Sequence, residues 1–498
     1  MNDLDYHELW HKAEEPPWPN DPNEHARWRF TRCLRRMLYG MWRIDVERLL
    51  ARQIKHVRRE AWRTIDLSSN QFKLAAKAQS VTYDRAPLIL HDDVERAAPM
   101  TDAITGYHAR SGFWALMAGT GQRDTMGLQE MLFRRDIHPR DGGLVDRPVY
   151  PDLVTCEADP YRRHLPVTVR ETRDRKDPKT GEIIWTRETL SIADIDNPQY
   201  VIERYHDGGG FTDVTGDYLN GSQSGEAYPY RKADDEPVLP YVMYHSKLTG
   251  VLWNPYDAIE LYLGSLEGAG HYTHWGHIMR QASWAQRYGI GASAGGEELI
   301  DQDGDGVTRR EVNTDPSTIL MFDAQEGFDG QPTLGQFGAA IDPGQFLNAI
   351  AAYERRLIAH TGIQPADLHR ISGDPRSGYA MALSRDGQRE QQRRVQDQFS
   401  EGDVAYIALG AILRNRWEEE TGKGPGDLPE DGYRVEYQGI PKSPQEVKSD
   451  DDHIAANIEL GLLDKVTAYQ QQHPGTSKAD AERALLDIQS VNARFRSA

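Results

Sequence analysis

The second half of the chain opens a helix twice with the same kind of signal, Asn254-Pro255 and Asp342-Pro343, and the stretch between the two helices is not helical. Asparagine or aspartate suits the residue before a helix, and proline suits its first position. After the first signal Ile259, Tyr262, Leu263 and Leu266 recur at helical spacing, and the pattern runs on to Tyr288 before Gly289. A helix over that span would be about 50 Å long. Its glycines at 264, 268, 270 and 276 cost about 1 kcal/mol each relative to alanine, which predicts a kink or break. After the second signal Phe346, Ile350, Tyr353 and Leu357 mark a helix ending near Gly362 and about 28 Å long. Between them, 289–341 reads as glycine-rich loop with short strands, one of them in "STILMFD". A helix leaves, a small β-containing excursion follows, and a second helix returns.

The rest of the chain divides around this unit. Residues 24–63 carry a helical apolar stripe, Phe30, Leu34, Met37, Leu38 and Met41, together with many arginines. The arginines are read as a solvated face or a subunit contact in preference to a nucleic-acid face. Residues 103–134 read as helix through "LQEMLFRRD". From about 145 to 250 short alternating runs such as "HLPVTVRETR" and "EIIWTRETLSI", separated by clusters like "RKDPKTGE", predict antiparallel hairpins. Beyond 362 come a short polar segment, a long charged helical stretch over about 379–421, a strand in "YRVEYQG" and two terminal helices. The fold class expected is α+β, and no internal repeat stands out.

Composition narrows the class of molecule. Of 498 residues 38% are hydrophobic, and the mean hydropathy is −0.69. A chain this polar is expected to bury apolar surface between elongated segments or subunits. A net charge of −19 argues against broad adhesion to nucleic acid, though not against an acidic channel along which DNA slides. Cys33 and Cys156 are the only cysteines, so no disulfide framework is expected, and a reducing cytoplasm fits best. The N-terminus lacks the basic start and apolar run of a signal peptide, and no run of about 18 apolar residues could span a membrane.

Three stretches could carry chemistry. "DQDGDGVTRREV" begins like a calcium loop: Asp301, Asp303 and Asp305 stand at positions 1, 3 and 5, with Gly306 at the turn position. Position 12 is Val312 instead of a bidentate glutamate, so an acidic turn is preferred to a calcium clasp. "GASAG" matches a nucleophile elbow with Ser293 as nucleophile. That motif needs a strand before it and a helix after it, whereas here it follows a helix and enters an acidic loop. His271, His274 and His277 fan across one side of a helix, so a neighbouring pair could share a metal. With no cysteine or carboxylate to complete a site, stacked polar contacts between subunits are the expected role. No Walker-type loop, HExxH or CxxC occurs, and no carboxylate pair singles itself out as acid and base.

The order of elements, with "SGYAMALSRDGQREQQRR" and "YRVEYQGIPKSPQE" followed by "IELGLLDKVTAYQQQHPG", resembles the portal proteins of tailed bacteriophages and related gene-transfer particles. The resemblance covers nearly the whole chain and rests on order and phrases, not on a catalytic signature. It implies an elongated protomer: a helical and β-rich wing (1–250), a first stem helix (251–288), a clip (289–341) and a second stem helix (342–362). A tunnel loop (363–378), a long wing helix with closing strand (379–440) and a helical crown (441–498) would follow. It further implies a non-enzymatic ring of about twelve copies at one capsid vertex of the virion. That ring would pass double-stranded DNA, meet a terminase motor and a head–tail adaptor, and sit among major capsid protein and scaffold, with no membrane partner and no required cofactor. The tunnel loop would present Gln364, Asp367, His369, Arg370, Asp374, Arg376 and Ser377 to DNA; its two aspartates and two arginines cancel. The clip would turn Glu297, Glu298, Asp301, Asp303 and Asp305 toward the adaptor. A serine hydrolase built on Ser293, or a calcium-stabilised capsid protein, is the competing reading.

Overall fold

The computed structural model describes residues 17–53, 65–92, 94–177, 179–206, 209–218, 228–283, 286–290, 292–294, 298–299, 309–310, 322–324, 333–337, 342–359, 378–424, 426–438, 444–472 and 478–496. The chain is mixed helix and antiparallel sheet, as expected. It opens with α1 (Pro22–Leu38), α2 (Arg43–Gln53) and α3 (Gln71–Gln79). The Asp21 carboxylate caps α1 by accepting from the Asn23 amide, with Pro22 at the first turn. Strand β1 (Leu88–His91) leads into α4 (Val94–Ser111), α5 (Phe113–Leu116), a π-helical turn over Met117–Gly121, and α6 (Gln122–Leu128).

Four arginines of α1 turn inward instead of lying on a solvated face, while Arg29 is exposed. Arg27 is buried and donates to the carbonyls of Pro151 and Val154 at 2.8 and 2.6 Å. Arg35 and Arg32 reach the fully buried Asp152 at 3.0 and 3.5 Å, and Arg36 pairs with Asp45 at 2.6 Å. They tie α1 to its own chain, which periodicity alone cannot distinguish from a solvated face.

The segment "LQEMLFRRD" is also not helix. Its residues Glu130–Ile137 form strand β2, central in the sheet β3-β2-β9 with β3 (Leu144–Val149) and β9 (Tyr241–His245). Buried on both faces through Arg135, β2 shows no polar alternation, and such a run reads as well for helix as for strand. Beyond β3 the expected hairpins are present. Strands β4 (Val154–Ala158), β5 (Pro166–Lys176), β6 (Ile183–Ser191), β7 (Gln199–His206) and β8 (Gly210–Asp213) form an antiparallel meander in chain order, followed by the short α7 (Thr215–Tyr218). Val154, Val169, Leu190 and Tyr241 share the core between the two sheets.

A 3-10 turn, Pro255–Ala258, opens α8 (Ile259–Ser283). Asn254 makes no side-chain cap there; its backbone N–H donates to Glu130 at 2.8 Å instead. Helix α8 runs unbroken past its glycines and stops short of Tyr288, because Gln286–Ile290 is recruited as β10 by a backbone ladder with Thr333–Phe337, β15. Inside that ladder β11 (Ala292–Ala294) pairs with β14 (Phe322–Ala324), and β12 (Glu298–Leu299) pairs with β13 (Arg309–Arg310). The three antiparallel ladders are nested in chain order, one inside the next. Helix α9 (Pro343–Ala359) returns from them, with Asp342 accepting from the Gly344 amide at 2.9 Å as its cap.

The long helix is α10, Gly378–Thr421, 44 residues and about 66 Å. Its second half runs through the core: Val395, Phe399 and Tyr406 join Leu34, Phe113, Phe133 and Tyr244 in the largest cluster, while Ile407 and Ala411 meet Ile89 and Tyr433. Strand β16 (Tyr433–Glu436) returns to pair with β1, and α11 (Pro444–Glu459), α12 (Lys465–Gln472) and α13 (Lys478–Arg496) close the chain.

Candidate functional site

The helix pair α8 and α9 is antiparallel, as descending contacts show. Tyr353 donates to Glu267 at 2.8 Å, Tyr272 donates to Glu354 at 3.2 Å, and Trp275 donates to the Pro343 carbonyl at 3.3 Å. Gly264 makes the close approach possible, since a Cβ there would lie 2.5 Å from Leu357 Cδ1. One side of α8 (Tyr262, Leu266, Ala269) packs on the main core, whereas Ile259 and Leu263 on the same helix are 39% and 47% exposed. The pair is thus anchored to the body at its base and leaves an apolar row uncovered.

The histidines of α8 hold no metal site. His271 stacks edge-on against Tyr353 of the same chain at 5.6 Å, and among the described residues no group of histidine, cysteine or carboxylates could hold a metal ion. Burial, with His271 and His277 alongside, lowers the pKa of His274. His271 thus makes a contact within the helix pair.

Ser293 sits in β11, paired with Asp323. It lies within a ladder and not on a turn between a strand and a helix, so the elbow that would expose and activate it is not formed. Glu298 lies in β12, opposite Arg310. Glu297, Asp301, Asp303 and Asp305 fall outside the described residues, as do Gln364, Asp367, His369, Arg370, Asp374, Arg376 and Ser377. In chain order the former group flanks or follows β12, and the latter leads from α9 into α10.

What sequence reasoning missed is a set of buried polar clusters where α10 crosses the body. Asp403 is fully buried and accepts from three phenols: Tyr83 at 2.9 and 2.8 Å, Tyr244 at 2.9 Å and Tyr437 at 2.5 Å. Burial pushes its pKa up to about 7 even though all three hydrogen bonds pull it down. Beside it Arg135, fully buried on β2, donates to Asp146 at 2.8 Å and to the Tyr406 carbonyl at 2.9 Å. Arg135 also lies 2.8 Å from His108 Nε2, whose pKa falls well below its usual value through burial and this neighbouring charge. Between the sheets Glu188 is ringed by Arg134 at 2.9 Å, Arg173 at 3.1 Å and Arg175. Burial alone would raise the Glu188 pKa, but the three guanidiniums bring it down to about 2. The signal was present for Asp403: Phe399, Asp403 and Tyr406 share a helical stripe, and a lone acid among apolar positions demands buried partners.

A cavity of about 800 Å³ opens where α3, the start of α8 and α10 converge, lined by Phe72, Met126, Tyr256, Ile259, Arg394 and Val395. Its one lining serine, Ser246, donates to Gln129 at 2.8 Å and so lacks the adjacent base a nucleophile needs. Among the described residues no helix is long and apolar enough to cross a membrane. The arrangement instead transmits position: buried ion pairs and phenols lock the long helix and the sheets into one body, from which the helix pair departs.

No family model and no curated protein matches the chain. Among solved structures it is similar to a chain of "Neck of empty GTA particle computed with C6 symmetry", with 14% identity, a TM-score of 0.37, and coverage of 92% of this chain and 95% of that one. It is also similar to a chain of "Virion of native gene transfer agent (GTA) particle", with 12% identity, a TM-score of 0.33, and coverage of 79% and 86%.

Proposed function

We propose that the chain is the portal subunit of a tailed bacteriophage or a related gene-transfer particle. Copies of it form a ring of about twelve at one capsid vertex. That ring admits and releases double-stranded DNA and offers a platform to a terminase motor and a head–tail adaptor, among capsid protein and scaffold. One observation carries the reading: an antiparallel helix pair bracketing nested β ladders, with a 44-residue helix built into the body as the next described element. The pair and ladders would supply stem and clip, 251–288, 289–341 and 342–362. Residues 363–378 would be the tunnel loop, 379–440 the long wing helix with its closing strand, and 441–498 the crown. The uncovered row on α8 suits contact with the next copy in a ring, where each subunit meets its neighbour by the same heterologous surface. The net charge of −19 suits a conduit, because each phosphate neutralised by a basic wall adds affinity and friction. Within the tunnel loop Gln364, Asp367, His369, Arg370, Asp374, Arg376 and Ser377 would touch DNA without gripping it. At the clip Glu297, Glu298, Asp301, Asp303 and Asp305 would form an acidic adaptor-facing surface.

Negative-stain electron microscopy of the purified protein, with mass photometry on the same sample, tests this reading. Rings of about twelve copies around a central hole are the expected outcome. A protein that stays monomeric at high concentration, alone and when co-produced with its capsid and scaffold proteins, would overturn it.

A further inference from the structure

Asp403 gathers its partners from across the chain. Its three tyrosines come from three places far apart in the chain: Tyr83 follows α3, Tyr244 lies in β9, and Tyr437 follows β16. The helix is shaved to admit them, since a Cβ at Gly402 would lie 2.7 Å from the Tyr244 ring. Gln392, also on α10, donates across the same junction to the carbonyls of Val81 and Gln438, at 3.4 and 3.2 Å. The carboxylate is therefore the knot between the long helix and three separate elements.

We propose that Asp403 and its tyrosines form a proton-operated clasp on the long helix: one proton taken up at the carboxylate reverses its hydrogen bond with Tyr437 and loosens the segment after β16. As a carboxylate, Asp403 is an acceptor only and satisfies all three phenols. Once protonated it must donate its own O–H, so one phenol loses its acceptor and has to turn its own O–H elsewhere. Tyr83 and Tyr244 are 2% and 1% exposed, whereas Tyr437, which also meets the Tyr83 hydroxyl, is half-buried at the end of a short strand and closest to solvent. Tyr437 is thus the one that yields. The proton comes from solvent and returns to it, with no other bond changed.

No other group nearby takes over this role. On its own helix Asp403 has Glu401, which faces His164 at 3.6 Å, and Tyr406, which donates to Asp146 at 2.8 Å. From β2 and β3 come Arg135 and Asp146, already paired, and from α4 comes His108, held neutral by burial beside Arg135. From β9 comes His245, whose Nε2 lies 2.9 Å from the His164 carbonyl and whose pKa is lowered, burial being the main cause.

The clasp does not depend on the portal reading, so it can fail while rings form, or hold in a monomer. Amide hydrogen exchange over 433–438, corrected for the chemical pH dependence of exchange, is measured from about pH 8 to about pH 6 alongside the infrared band of a protonated carboxyl. The whole protein is expected to exchange there several-fold faster at the acid end as the infrared band appears, and Asp403→Asn to lose both the pH step and the band. A flat profile in the unmodified protein, or the same step in Asp403→Asn, overturns the proposal. Should Asp403→Asn fail to fold, Tyr437→Phe decides: it is expected to keep the infrared band and lose the step, and a surviving step overturns the clasp.

Discussion

Glu130 shows how far one side chain's surroundings can shift its chemistry. One oxygen accepts the Asn254 amide at 2.8 Å and the other is buried without a hydrogen bond, so burial raises the pKa to about 8 against an ordinary 4.5. A raised carboxylate holds its proton more tightly folded than unfolded. Its contribution to stability is therefore greatest below the unfolded value and is lost as pH rises between the two. Urea unfolding at a series of pH values should show the unmodified protein losing stability relative to Glu130→Gln as pH rises from about 5 to about 8, the lowered histidines and Asp403 contributing alike to both. Equal slopes in the two proteins would remove Glu130 from the account. Asp152 is a buried acid paired with Arg35 and Arg32. Asp152→Ala should cost about 3–5 kcal/mol by leaving two guanidiniums without their anion, read as a lowered urea midpoint with unchanged slope. A loss under about 1 kcal/mol would mean the arginines find water instead.

At the scale of elements, the reading from sequence succeeded where a local signal decides and failed where tertiary burial does. The hairpins of 145–213, the return helix at Asp342-Pro343, the strand in "YRVEYQG" and the long charged helix were legible because turn residues, caps and periodicity specify them. Strand β2 was not, because a strand buried on both faces carries no alternation. The end of α8 was missed because β10 forms through partners at 333–337, some fifty positions away, and periodicity carries no information at that separation. For the candidate site the balance is reversed. Loops and acidic turns announce themselves in composition, whereas the Asp403 and Arg135 clusters assemble from residues hundreds of positions apart. Only the misfit of a lone acid in an apolar stripe betrayed the first of them.

For the whole molecule, the proposed conduit makes the segment between α9 and α10 the place where DNA and protein meet. Reversing Arg370 and Arg376 together to glutamate should reduce the DNA packaged per particle while rings still form, measured by a packaging assay beside electron microscopy. Unchanged packaging would discard the tunnel-loop role and leave the ring reading standing. The nested ladders bear on the molecule at this scale too. The outermost ladder sets Gln286 opposite Phe337 and Ile290 opposite Thr333, so the strand that leaves α8 and the strand that returns to α9 are clamped to each other where the excursion begins, like a tool held in a chuck. What the tool's far end presents can then be exchanged between lineages, or re-cut to suit a new partner, without disturbing the grip that holds it.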